Sequence, residues 1–129
     1  MLASRVAAVA ALSLFSFAAT SAAQAQPAAP VQVINLVSYS IAPTPIVLQA
    51  GRPVTLQFVN RAGKGHDFTA TRFFHSARIL SGHVGDGEVE LRPGQIANVT
   101  LIPAAGRYPA HCSHPFHKML GMHAVILVQ

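Results

Sequence analysis

The stretch Gly106-Arg-Tyr-Pro-Ala-His-Cys-Ser-His-Pro-Phe-His-Lys-Met-Leu-Gly-Met-His123 concentrates most of the metal-binding side chains of the chain. It holds the single cysteine, four of the seven histidines and two of the three methionines. Thiolate, imidazole and thioether groups are the soft and borderline ligands that select copper, zinc or iron. Within the stretch, Cys112, His117 and Met122 are spaced as Cys-x4-His-x4-Met. Because a cysteine, two histidines and a weak methionine form a copper ligand set, we expect one more histidine from elsewhere in the chain.

His66 is the best candidate for that missing ligand. It follows a Gly-rich turn at residues 61–65 and begins a predicted strand, and strand ends are where a β-sandwich gathers its loops. His75 and His83 compete for the role, but both lie in an irregular segment where a surface position is the ordinary expectation. Zinc would also accept cysteine and histidine, but a structural zinc site has no use for the thioether.

The N-terminus predicts export. A basic start ending at Arg5, an apolar run to about Ala19 and a small-residue A-x-A site indicate a signal peptide over residues 1–25. The run is shorter than the roughly 18 to 20 residues that a spanning helix needs. Residues 26–30 then predict a linker and residues 31–129 one small domain, without a membrane span. A lone cysteine in an exported protein cannot form an intramolecular disulfide. Ligation by a metal would explain the presence of this thiol.

Charge patterning bears on the class of partner. The sequence has nine Lys and Arg against four Asp and Glu, a net charge of +5 at pH 7, of which Arg5 would leave with the signal peptide. The basic residues are scattered along the chain, which indicates a solvated surface, with a lesser role in steering towards an acidic protein. Export and the absence of a basic cluster argue against nucleic acid.

Residues 31–129 alternate short β-prone runs with turns rich in Pro and Gly, and no helical period is sustained for three turns. This regular spacing predicts an all-β fold, an antiparallel sandwich. The segment 72–87 fits less well, because residues 73–80 predict one or two helical turns, so we interpret it as an excursion from the sheets. The predicted strands are 32–39, 46–49, 54–60, 66–71, 88–91, 96–102, 107–112 and 123–128.

The sequence resembles the cupredoxins, the small type 1 (blue) copper proteins related to plastocyanin, azurin and auracyanin. The motifs that carry the resemblance are Gly65-His-Asp-Phe68, Gly106-Arg-Tyr108 before the cysteine, and Gly121-Met122 leading into the last predicted strand. The resemblance implies a Greek-key sandwich of about eight strands that binds one copper ion. His66, Cys112 and His117 would be its trigonal ligands and Met122 its long axial ligand. We also expect the side chain of Asp67 to bond Ser113 and brace the two ligand segments.

The function implied by the resemblance is electron transport in the periplasm, by a monomer without enzymatic activity of its own. Electrons would pass through the exposed edge of His117, which an apolar patch of Pro115, Phe116, Leu120 and Met119 would surround for transient docking of redox partner proteins. The alternative is a copper-binding or copper-delivery protein, a metallochaperone or resistance factor. It is favoured by the surplus of possible ligands. These could bind a second metal ion, and Met119 could replace Met122 as the axial ligand. These surplus residues are His111, His114, Met119 and His123.

Overall fold

The computed structural model describes residues 21–129. Most of the predicted signal peptide, residues 1–20, therefore lies outside the described residues. Residues 21–30, which include the predicted linker, contain no helix or strand and are almost entirely exposed. The first strand begins at Val31.

Ten strands and one short helix make up the described chain. The strands form two sheets of five, in the orders β2-β1-β4-β8-β6 and β3-β10-β9-β5-β7. This confirms the predicted all-β sandwich, with about ten strands where the sequence predicted eight. The elements are β1 (Val31–Val37), β2 (Ser40–Ala42), β3 (Ile46–Leu48), β4 (Val54–Asn60), β5 (His66–Thr69), α1 (Thr71–Ser76), β6 (Arg78–Ser81), β7 (Glu88–Leu91), β8 (Ile96–Ile102), β9 (Gly106–His111) and β10 (His123–Val128).

Strand pairing is mainly antiparallel, as predicted, but each sheet contains one parallel pair. β1 runs parallel to β4, with Val31 opposite Thr55 and Leu36 opposite Asn60. β3 runs parallel to β10, with Ile46 opposite Ile126. Both sheets are therefore mixed. The chain passes from one sheet to the other between β2 and β3 and returns between β3 and β4.

The core lies between the two sheets and follows the predicted alternation. In β4, Val54, Leu56 and Phe58 are buried and the intervening residues are half-buried. Phe58 contacts Phe68 of the opposite sheet, with ring centroids 4.8 Å apart. Each fully buried side chain of this size contributes about 1.5–3 kcal/mol relative to an exposed one. These aromatic residues hold the sheet that carries His66 against the other sheet.

The predicted excursion contains α1, which has the predicted one to two turns but spans Thr71–Ser76, whereas the sequence placed the helix within residues 73–80. The helix ends at Ser76 because Ala77 is extended (φ −85°, ψ 153°). The chain then forms β6, whose four residues are all exposed and which pairs with the edge of β8. α1 is the one helix among residues 21–129, and its six residues cannot cross a membrane.

Candidate metal centre

His66 is positioned by the turn that precedes β5. The buried side chain of Asn60, at the end of β4, donates to the carbonyl oxygens of Lys64 (2.8 Å), Arg92 (3.1 Å) and Leu91 (3.2 Å). The side-chain oxygen Oδ1 of Asn60 accepts a hydrogen bond from the Ala62 amide at 3.0 Å. One amide side chain therefore fixes both ends of the turn. His66 begins β5 directly after it, with no exposed surface.

Cys112 and Met122 lie at the two ends of the loop that joins β9 to β10. The Cys112 amide donates to the Met122 carbonyl at 3.0 Å, and the Met122 amide donates to the His117 carbonyl at 3.0 Å. The backbone of Met122 therefore bonds to both other residues of the Cys-x4-His-x4-Met motif. Cys112 is 1% exposed and Met122 is fully buried.

The side chains of His66, Cys112 and His117 converge although they are far apart in sequence. Nδ1 of His66 lies 3.1 Å from Nδ1 of His117, and Sγ of Cys112 lies 3.4 Å from Nδ1 of His117 and 3.8 Å from Nδ1 of His66. The centre of a triangle with these sides is about 2.0 Å from each corner, close to the length of a metal–imidazole bond. The three atoms thus match the trigonal His2Cys arrangement.

The outer nitrogen of His66 is held by a residue that the sequence did not single out. Nε2 of His66 lies 3.0 Å from Oγ of Ser38, in the turn between β1 and β2. With its proton on Nε2, the ring donates to Ser38 and leaves the lone pair of Nδ1 facing Cys112 and His117. The neighbouring Tyr39 contacts both rings edge-on, with centroids 5.0 Å from His117 and 6.4 Å from His66.

The expected link between Asp67 and Ser113 is present. Oδ1 of Asp67 accepts the Ser113 amide at 2.9 Å, and Oδ2 accepts the Ser113 hydroxyl at 2.5 Å. Thr69 also donates its hydroxyl to Oδ1 at 2.7 Å. In addition, the Asp67 amide points at Sγ of Cys112, 3.5 Å away. Asp67 therefore ties β5 to the loop after β9, and its amide supports the thiolate form of Cys112.

The competing histidines and the second methionine lie elsewhere. His75 and His83 are exposed and belong to neither ligand cluster of the described residues. Met119 is 84% exposed, whereas Met122 is buried beside Cys112. This contrast favours Met122 for the axial position.

His114 lies beside the site without joining the triangle. Its Nε2 is 3.1 and 3.2 Å from the two carboxylate oxygens of Glu90 and 3.6 Å from Oδ2 of Asp67. His114, Asp67 and Cys112 form a second possible ligand group, which overlaps the first at Cys112.

Burial controls protonation at the site. It lowers the pKa of His66, an effect reinforced by His117 and His114, so the imidazole is neutral and ready to act as a ligand. Burial also raises the pKa of the Cys112 thiol. A metal must therefore displace the thiol proton, and its binding becomes tighter as the pH rises.

The comparisons with known proteins assign the family. The sequence matches the family described as cupredoxin-like domain over residues 6–128. The chain belongs to the cupredoxin family. No curated protein matches it. Within the family, the convergence of His66, Cys112 and His117 beside the buried Met122 fits one type 1 copper ion.

Solved structures similar to this cupredoxin are of two kinds. Auracyanin from Roseiflexus castenholzii is 19% identical, with a TM-score of 0.60, and the match covers 80% of this chain and 99% of that one. Auracyanin A, a "blue" copper protein from Chloroflexus aurantiacus, is 16% identical, with a TM-score of 0.57 and 79% and 100% coverage. The multicopper oxidase McoA from Aquifex aeolicus is 18% identical, with a TM-score of 0.62, and the match covers 78% of this chain but 29% of the oxidase. This cupredoxin therefore spans less than half the length of the first multicopper oxidases that it matches.

Proposed function

We propose that this cupredoxin is an exported, periplasmic type 1 copper protein that carries single electrons between redox partners. The observation that supports the proposal most directly is the triangle of two Nδ1 atoms and one Sγ, whose centre lies about one metal–ligand bond from each. His66, Cys112, His117 and Met122 would hold the ion. Copper in such a site supplies one-electron chemistry.

Rigidity of the ligand residues favours electron transfer over copper exchange. Asp67 links β5 to the loop of Cys112, and the Met122 backbone links Cys112 to His117. Two of the four ligand residues have no exposed surface and Cys112 has almost none. Because packing and hydrogen bonds hold these residues in one arrangement, little reorganisation accompanies a change of oxidation state.

Electrons would enter and leave through His117, the least buried of the four residues. On the loop around it, Phe116 is 73% exposed, Met119 84% and Leu120 57%. We call these three residues the loop patch. An exposed apolar surface of this small size suits a brief encounter with a redox partner.

The proposal gives the chain no enzymatic activity of its own. Auracyanins are matched over 92–100% of their length, whereas the first multicopper oxidases are matched over 29–45%. One copper site and a docking surface are sufficient for an electron carrier. An enzyme would also need residues that bind and convert a substrate.

The test is the visible absorption and EPR spectrum of the protein loaded with Cu(II). We expect an intense thiolate-to-copper band that is lost in Cys112→Ser and kept in Met119→Leu, the control for the exposed thioether. An absence of the band from the wild-type protein would refute the type 1 assignment.

Copper delivery is the second candidate, because Met119 is almost fully exposed beside the site. Transfer of copper to a chelator separates the two functions. A carrier retains its ion over many redox cycles, whereas a delivery protein releases it readily. Rapid release from the wild type, slowed by Met119→Leu, would favour delivery.

A further inference from the structure

We propose a second metal site on the outer face of the sheet that carries the candidate copper site. Its ligands are His111, the last residue of β9, and His123, the first residue of β10. The two residues are direct partners across the antiparallel ladder. We call them the outer histidine pair; the site adds to the proposed electron-transfer function and does not depend on it.

The ladder places the backbones of the two histidines directly opposite each other. Directly beyond the pair, the Cys112 amide donates to the Met122 carbonyl. This bond identifies His111 and His123 as a non-hydrogen-bonded pair, the kind in which opposing side chains approach most closely. Cross-strand partners of this kind have Cβ atoms about 4.5–5.5 Å apart, within reach of a single ion for two imidazoles.

Both imidazoles are available to a ligand. His123 is exposed and His111 is half-buried. The histidine side chains that make hydrogen bonds within residues 21–129 are His66, His114 and His117. The outer histidine pair is therefore not engaged in the network around the copper site.

A row of polar residues extends the outer histidine pair across the sheet. His111 is opposite Thr69 of β5, and Thr69 is opposite Glu88 of β7. Paired residues share a face, so all of these side chains project outwards. Glu88 lies two strands, about 10 Å, from His111, so its carboxylate contributes negative charge that favours a cation without being a ligand.

The outer histidine pair is separated from the copper site by the sheet itself. Successive side chains of a strand point to opposite faces, and Cys112 and Met122, which follow His111 and precede His123, are buried on the inner side. Two ions can therefore be bound at once, on opposite faces of the same pair of strands. Imidazole ligands favour Cu(II) and Zn(II) over Mg(II) and Ca(II).

Zinc titration of the copper-loaded protein tests the proposal, because zinc gives no visible band and the inner site is already filled. By calorimetry or equilibrium dialysis, we expect the wild type to bind one equivalent of zinc with its visible spectrum unchanged. His123→Gln and His111→Gln should each weaken this binding by at least about tenfold, since even losing a residue that only supports a ligand costs that much. His75→Gln, at an exposed histidine of α1, is the control and should leave it unchanged.

Two results would overturn the proposal. One is zinc binding that is as tight in both His123→Gln and His111→Gln as in the wild type. The other is a loss of binding that follows His114→Gln alone, which would assign the ion to His114 and Glu90. The same titration in Cys112→Ser keeps the test independent of the copper assignment. There, one equivalent of zinc should still depend on His123, whether or not the wild type shows a visible band.

Discussion

Individual side chains of the site are held from both sides. His66 has Nδ1 within the ligand triangle and Nε2 beside the Ser38 hydroxyl, so contacts at both nitrogens fix the orientation of its ring. Such outer partners fix a metal-bound imidazole and increase its basicity. Ser38 is therefore a positioning residue for the proposed copper ligand His66, supplied by a turn of the other sheet.

Ser38→Ala tests this role. The ligand set stays complete, so we expect the visible band to remain, but copper affinity should fall by about 10–100-fold because His66 loses its orienting partner. Competition with a chelator measures the affinity. Ser40→Ala, two residues away at an exposed position of β2, is the matched control. If Ser38→Ala and Ser40→Ala bind copper equally tightly, Ser38 does not position His66.

What the sequence can predict at this scale depends on whether the partners lie in recognisable motifs. The link between Asp67 and Ser113 was predicted because each residue directly follows a predicted ligand, His66 and Cys112 respectively. Ser38 and Tyr39 were missed, because they come 28 and 27 residues before His66 and no local spacing connects them to it. They approach the site only because β1 pairs with β4, which precedes the His66 turn.

Among the elements, α1 is attached to the sandwich by its buried residues Phe73 and Phe74 and by the hydroxyl group of Tyr108. Oη of Tyr108, in β9, donates to the carbonyls of Ala104 (3.0 Å) and Ala105 (3.2 Å) and accepts the Ser76 hydroxyl at 3.1 Å. Its ring also contacts Phe73 of α1, with centroids 5.5 Å apart. Tyr108 thus joins the helix, the turn before β9 and the strand that leads to Cys112.

Tyr108→Phe should lower the free energy of unfolding by about 1–2 kcal/mol, since a buried hydroxyl that both donates and accepts is lost. The visible band should not change, because the ring still packs in place. Chemical denaturation of the copper-free protein measures the difference. Tyr39→Phe is the comparison, since the Tyr39 hydroxyl has only an exposed contact with Lys64 at 3.4 Å. An equal loss in both variants would contradict the anchoring role.

The strands that the sequence failed to predict are too short or too exposed to show a sustained alternation. β2 alternates over only three residues, and all four residues of β6 are exposed. The apolar residues Ile79 and Leu80 extended the predicted helix, but they lie at a sheet edge and are 37% and 45% exposed. Pairing with β8, which is remote in sequence, decides their conformation.

For the whole molecule, function depends on which surface meets a partner. The loop patch is the exposed apolar surface next to His117. If electrons pass through His117 as proposed, two copies of the protein, one reduced and one oxidised, exchange an electron by bringing these surfaces together. The rate of this self-exchange therefore tests the docking surface without knowledge of the natural partner.

A charge at Leu120 should slow self-exchange whatever its sign, because identical charges then face each other. We expect Leu120→Lys and Leu120→Glu each to reduce the rate by about tenfold or more, since like charges at an interface cost more than the ~1.4 kcal/mol that corresponds to tenfold. NMR line broadening in mixtures of the two oxidation states measures it. Ile96→Lys, at an exposed apolar residue of the other sheet, should leave the rate and the colour unchanged. A rate unaffected by either Leu120 variant would place the docking surface elsewhere.

The position of Met122, just before the last strand, also determines when the site can exist during folding. β10 lies between β3 and β9, so its sheet is complete only after the C-terminal residues have joined it. Until then, Met122 is not held against Cys112 and His117, because its backbone bonds to both residues have not formed. Since an unfolded chain rarely offers a preformed metal site, copper capture comes after this step and adds its binding free energy to the stability of the finished fold. Copper binding therefore indicates that the last strand has been inserted.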